Sequence, residues 1–217
     1  MPIIKIESRD EWLKARQKQG IGGSESGCVI GMNKYQSNVD LWELKTGKRE
    51  APDLSNNAAV QFGKAAEQYI RELFKLEYPE YSVDYHEFWM YVNDKYPFIF
   101  ATLDGDLTAA DGSKGILEIK TTTIQNSSQW TDWDGRVPDS YYTQCLHQLA
   151  ATGYDFVILY AYIRYYDADC KIRVSIRPYT IYRKDVLSDI DYLIDRETTF
   201  WQAVQQDRRP PLILPNI

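Results

Sequence analysis

The feature that most limits what this chain can fold into is a change of hydrophobic period. An apolar stripe at helical spacing runs from Ser55 to Glu77, through Val60, Phe62, Ala66, Tyr69, Ile70, Leu73 and Phe74, and Pro79 ends it. A β-rich stretch follows at once. Ser82–Val92 alternates, Phe98–Leu103 is apolar, and Gly115–Lys120 reads as a short strand, with Asp111-Gly112 as the turn between the last two. Helical spacing returns over Asp139–Thr152, stopped by Gly153. Two strands then follow, Phe156–Arg164 and Lys171–Ile181, joined by a turn around Asp167-Ala168-Asp169. A last helix is expected from about Lys184 to Gln206, before Arg208-Arg209-Pro210-Pro211. A stripe that must be buried, next to strands that must pair, predicts an α/β fold with a small sheet flanked by helices.

Upstream, Ser8-Arg9-Asp10-Glu11 reads as a capping box opening a helix to about Lys18, near the stop at Gly20. Gly20-Ile21-Gly22-Gly23-Ser24-Glu25-Ser26 reads as a flexible turn entering a helix that starts at Ser24. Asn38–Thr46 is expected to be helical, with Leu41, Trp42 and Leu44 buried and Gly47 as its stop. The 217 residues show no repeat or low-complexity linker and fit a single domain over 1–217.

No apolar stretch approaches the roughly 18 residues of a membrane span, and the N-terminus lacks the apolar region of a signal peptide. Cys28, Cys145 and Cys170 form neither a disulfide framework nor a Cys-x-x-Cys metal site. The expectation is a soluble cytoplasmic protein with reduced cysteines. A net charge of −6 argues mildly against nucleic acid as partner. A site holding carboxylates for a metal, however, makes the total negative while the bound cation reverses the local sign. Seventeen Tyr and six Trp point first to core and subunit packing, and second to base stacking.

The chemistry concentrates in Thr102-Leu103-Asp104-Gly105-Asp106 and Gly115-Ile116-Leu117-Glu118-Ile119-Lys120. Alternation projects Glu118 and Lys120 together while Leu117 and Ile119 point to the core. A hairpin placing Asp104 opposite Glu118 would gather two carboxylates and an ammonium, a set of hard ligands suited to Mg²⁺. Either piece alone is more often bland: Glu-x-Lys is commonly a solvated charge pair, and Asp-Gly a hairpin turn. The helices add Glu67, alone a surface residue, and Gln144 with Gln148 at i and i+4, alone a polar face.

The ordered set Arg16, Gly20-Ile21-Gly22-Gly23-Ser24-Glu25, Phe62-Gly63-Lys64-Ala65-Ala66-Glu67, Leu103-Asp104-Gly105, Leu117-Glu118-Ile119-Lys120 and Tyr141-Tyr142-Thr143-Gln144 resembles the YqaJ-like viral recombinases. That family, which includes phage lambda exonuclease, lies within the PD-(D/E)XK nuclease superfamily. The resemblance spans about Trp12 to Gly153. It implies a PD-(D/E)XK restriction-endonuclease-like core and Mg²⁺-dependent exonuclease action, with Mn²⁺ as a substitute, on linear double-stranded DNA from the 5′ end. It also implies a homo-oligomeric ring, typically a trimer, a single-strand annealing protein as partner in recombination, and a phage or prophage origin in a bacterial host.

By position, the resemblance makes Asp104 and Glu118 the metal carboxylates, Lys120 the catalytic lysine and the Ile119 carbonyl a further ligand. Glu67 becomes the helix carboxylate near the metal, Gln144 the motif glutamine, and Arg16, Ser24 and Thr102 the 5′-phosphate contacts. A Gly-rich turn with Ser at a helix start is itself a ready anion site. The sequence departs from the pattern at two places: Leu103 replaces the proline of the superfamily name, and Leu146 the second glutamine. The alternatives are a structure-specific endonuclease or repair nuclease on the same fold, and a non-catalytic nucleic-acid-binding module. Linear against circular DNA separates the exonuclease from the endonuclease.

Overall fold

The computed structural model describes residues 1–214. In chain order the elements are β1 (Ile3–Ile4), α1 (Arg9–Gln19), β2 (Ile21–Gly22), α2 (Gly23–Val29), α3 (Asn38–Lys45) and α4 (Ala58–Glu77). Five strands follow: β3 (Ser82–Asp84), β4 (Met90–Val92), β5 (Ile99–Ala101), β6 (Gly105–Thr108) and β7 (Lys114–Ile124). After α5 (Asp139–Thr152) come β8 (Phe156–Tyr166), β9 (Ile172–Tyr182) and α6 (Leu187–Gln205). Short 3₁₀ turns occupy Ser127–Trp133 and Arg183–Asp185. The final helix thus begins three residues later than its periodicity suggests.

The strands form two sheets where one was expected. The larger has the order β3-β6-β7-β8-β9, and the smaller β1-β4-β5-β2. In the larger, β7 and β8 run parallel over ten register pairs while the other neighbours are antiparallel, so it is mixed. That parallel pair requires a crossover, and α5 supplies it.

The alternating stretch Ser82–Val92 is not one strand. It breaks at Tyr85–Trp89, where His86 stacks on Trp89 at 3.5 Å, and its two ends join different sheets. Gly105–Thr108, not foreseen as a strand, is the true partner of β7. The turn at Asp111-Gly112 therefore joins β6 to β7, not β5 to β7. Ile21–Gly22 is likewise a strand, parallel to β5, and not a flexible turn. The chain comes so close there that a Cβ on Gly20 would lie 1.9 Å from the Phe98 carbonyl oxygen.

Two apolar layers sandwich the larger sheet. Leu117, Ile119, Ile158 and Tyr160 meet Ile70 and Phe74 of α4. On the opposite face Ile116, Val157, Leu159 and Ala161 meet Cys145, Leu146 and Leu149 of α5. Helix α4 presents a narrow stripe, so Tyr69, expected inside, is 70% exposed: it lies about 100° around the helix from Ile70. Asn57 caps α4 by accepting from Ala59 and Val60, and Gly153 ends α5 in the left-handed conformation. All three cysteines are free, Cys28 and Cys145 buried and Cys170 exposed. No helix among the described residues is long and apolar enough to cross a membrane.

Candidate active site

Strand β7 is the spine of the site. The β6–β7 register pairs Gly105 with Leu117, which carries Asp104 to the level of Glu118. Asp104 Oδ2 accepts a hydrogen bond from the Ile119 amide at 2.8 Å. Glu118 and Lys120 share a face as expected, but that face is not an open surface. It lies beneath α5, and Glu118 is only 2% exposed.

A carboxylate so deeply placed needs donors, and α5 provides them. Lys120 Nζ lies 2.6 Å from Glu118 Oε1. Gln144 Nε2 donates to the same oxygen at 2.6 Å, while Gln144 Oε1 accepts from Lys120 Nζ at 2.9 Å. Gln148 Nε2 donates to Glu118 Oε2 at 2.5 Å. The i, i+4 amide pair is therefore not a polar surface but a clamp on the buried carboxylate. Leu146, which stands where a second glutamine was expected, packs into the core on the α5 side.

Helix α4 closes the other side. Glu67 is paired with Arg71 Nη2 at 2.7 Å, and Arg71 Nε donates to the Asp104 carbonyl at 2.5 Å. The Arg71 guanidinium stacks on Tyr85, 3.5 Å from the ring centroid. Arg71 is a residue the sequence reading missed, and Gln148 was named there only as part of a polar face. Each stands four positions after a residue that was singled out, and that spacing was the available signal.

Charge shapes the titration of the cluster. Burial, followed by the neighbouring Glu118 and Glu67 charges, pushes the Asp104 carboxyl well above the ordinary aspartate range. Burial and Glu118 also raise Glu67 against the opposing pull of Arg71. For Lys120 burial disfavours the ammonium, but Glu118 and Asp104 outweigh it and the net shift is upward, so Lys120 is charged at neutral pH.

The N-terminal segment forms the far wall of the same cleft. Gly22 caps α2, with its amide donating to Glu25 Oε2 at 2.8 Å. Ser24 is thus in the first turn and not at the cap. Its hydroxyl is free to accept from Arg16 Nη2 at 3.1 Å. Arg16 lies over Trp12, and Trp12 Nε1 donates to Thr102 Oγ1 at 3.1 Å. Gly22 packs closely there: a Cβ on it would lie 3.2 Å from both the Arg16 guanidinium and the Phe100 ring. Arg16, Ser24, Thr102, Glu67, Asp104, Glu118, Ile119, Lys120 and Gln144 all line one cleft of about 300 Å³. Every predicted site residue is therefore in a single place.

Among the described residues no three acidic, histidine or cysteine side chains close into a metal cage by themselves. The expected donor set, the Asp104 and Glu118 carboxylates with the Ile119 carbonyl, belongs to residues that all line the cleft. Such a set suits Mg²⁺, which keeps several waters and binds few protein ligands.

Residues 11–155 match the YqaJ-like viral recombinase domain. The chain belongs to this family. YqaJ of Bacillus subtilis (strain 168) is 34% identical over a 162-residue alignment that covers 69% of this chain and 44% of that protein. The chain thus spans less than half the length of this curated relative. In fold it is similar to an alkaline exonuclease, LHK-Exo, from Laribacter hongkongensis, with a TM-score of 0.67 at 21% identity, covering 91% of this chain and 93% of that one. LHK-Exo in complex with dAMP matches at TM-score 0.64 and 22% identity over the same shares. The YqaJ-like fold expected from the motifs is therefore the fold present.

Proposed function

We propose that this protein is a Mg²⁺-dependent nuclease that digests one strand of linear double-stranded DNA from its 5′ end, with Mn²⁺ able to substitute. The observation that carries the reading is the convergence of Asp104, Glu118 and Lys120 with Arg16 and Ser24 in one cleft. An acidic, lysine-bearing centre beside an anion cradle suits cutting next to a terminal phosphate.

In this reading Asp104, Glu118 and the Ile119 carbonyl hold the ion. When bound, it lowers the pKa of a water and stabilises charge on the phosphate. Glu67 lies across the cleft and orients water through its second oxygen. Lys120, held protonated by Glu118 and Asp104, offsets charge on the phosphate oxygens rather than taking up a proton. Gln144 ties Lys120 to Glu118 and fixes both. Arg16, Ser24 and Thr102 receive the 5′-phosphate, which carries more charge than an internal diester, and so place the next bond at the acidic centre.

The family's viral recombinases suggest the setting: a phage or prophage protein in the bacterial cytoplasm, assembled as a ring, with three copies as the expected number, and working with a single-strand annealing protein. The experiment is a comparison of 5′-phosphorylated linear duplex with closed circular duplex in Mg²⁺. Loss of the linear form alone is expected. Cutting of the circle would replace this reading by a structure-specific endonuclease, and survival of both by a non-catalytic binding module.

A further inference from the structure

Next to the cleft, the first turns of α4, through Phe62 and Gly63, frame a second groove over the far end of the larger sheet. There Thr121 and Thr123 of β7 lie beside Tyr162 and Arg164 of β8. Thr121, Thr123 and Arg164 line a groove of about 1110 Å³ that shares Glu67, Ile119 and Lys120 with the catalytic cleft. The two spaces thus adjoin at Glu67, Ile119 and Lys120, and the Arg16–Ser24 cradle lines the cleft and not the groove.

Arg164 gives the groove its chemistry. Its guanidinium lies 3.7 Å from the Phe62 ring centroid, and Nη2 and Nε both donate to Thr123 Oγ1, at 2.9 and 3.2 Å. The fork is held in place with Nη1 left over. Arg49, also lining the groove, is neutralised by Asp40 and Glu43. Among the described residues no acidic side chain pairs with Arg164. A half-buried, oriented cation without a counter-ion is a site for an anion.

The geometry points to the groove as the seat of the strand being digested, on the 3′ side of the cut, with Arg164 on one of its phosphates. This rests on the proposed nuclease reading. Arg164 pairs with Thr123, three residues past Lys120, or about 10 Å along the strand. For a duplex whose axis lies along β7, with about 3.4 Å of axial rise per nucleotide, this is the phosphate roughly three nucleotides beyond the scissile bond. Tyr35 and Phe62, which also line the groove, offer aromatic surfaces of the kind on which bases stack.

The test is binding of a short 5′-phosphorylated duplex in Ca²⁺ by fluorescence anisotropy, with single neutral methylphosphonates scanned along the cut strand. Arg164→Gln keeps the packing stem, and Gln125→Glu places a carboxylate at the exposed rim without touching the core. Wild type is expected to weaken about tenfold when the second to fourth phosphate past the cut is neutralised. Arg164→Gln should ignore that change and show a salt slope smaller by about one. Gln125→Glu should weaken duplex binding. Thymidine 5′-monophosphate, which fills only the cradle, should bind wild type and both variants alike. If wild type binds and cuts duplex but Arg164→Gln responds to the scan as wild type does, the groove assignment falls alone. If wild type neither binds nor cuts duplex, the nuclease reading falls and takes the groove with it.

Discussion

Asp104 is held in a position that costs the folded chain stability. Its carboxyl is raised by burial and by two like charges, so the fold favours the protonated form. Between the ordinary aspartate value, near 4, and the raised one, the folded state binds more protons than the unfolded state, and stability falls as pH rises through that window. Asp104→Asn keeps an acceptor for the Ile119 amide and removes the charge. In EDTA at neutral pH it should melt above wild type, with the gap closing in acid. Mg²⁺ should raise the wild-type melting point and not the variant's. A variant that melts lower in EDTA would contradict the electrostatic cost assigned to this carboxyl. Gln148 makes a second residue-scale case. Gln148→Ala removes the donor from Glu118 Oε2, and losses of such supporting contacts run to about 10–100-fold in metal affinity or rate. Unchanged Mg²⁺ titration and unchanged rate would reduce Gln148 to core packing. At the cradle, Arg16→Ala should narrow the rate difference between 5′-phosphorylated and 5′-hydroxyl ends. Initial rates on the two end types measure it, and a preserved difference would take the 5′-end reading away from Arg16.

Helix α5 is the element on which the site turns, because it presents different residues to different neighbours. Gln144 and Gln148 clamp Glu118, while His147 faces α6 and the smaller sheet. His147 Nδ1 lies 2.7 Å from Glu197 Oε1, and Nε2 lies 2.9 Å from the Phe100 carbonyl, all within the interior. Burial works against a charged imidazole, but Glu197 and the Phe100 carbonyl prevail and the histidine is raised above its ordinary value. This pair's stabilisation is full below the ordinary histidine value, near 6.5, and is lost as pH rises through the raised one. His147→Gln should destabilise the protein by about 3 kcal/mol at neutral pH, since a buried carboxylate loses its partner. Urea midpoints of wild type and variant should converge as pH climbs. A gap that is constant with pH would mean that the contact is an uncharged hydrogen bond.

At the scale of the whole molecule, the surplus of aromatic residues is only partly consumed by the cores. Tyr35, Tyr69, Tyr166 and Tyr192 are exposed, at 98%, 70%, 56% and 55%. Tyrosine is favoured at subunit contacts, and a ring around duplex DNA needs such contacts between copies. Solution scattering at micromolar concentration should therefore give a mass of several chains, three being the expected number. A particle with the mass of one chain would remove the ring and leave digestion without an enclosing clamp.

Much was legible in residue order. The shift from helical to alternating period placed α4, β7, α5, β8 and β9, because burial of one face leaves its period in the sequence. The Asp104, Glu118 and Lys120 set was visible because alternation on β7 puts the last two on one face. The missing parts were contacts between elements remote in sequence. Nothing local to Gly105–Thr108 distinguishes a four-residue strand from the turn that Asp-Gly suggests; pairing with β7 decides it. Nothing local to Ser82–Val92 says that its halves serve two sheets. The sequence also could not say that Glu118 lies under α5, clamped by its two glutamines and only 2% exposed. Strand alternation tells which residues share a face, but only the helix that packs on that face determines whether water reaches it.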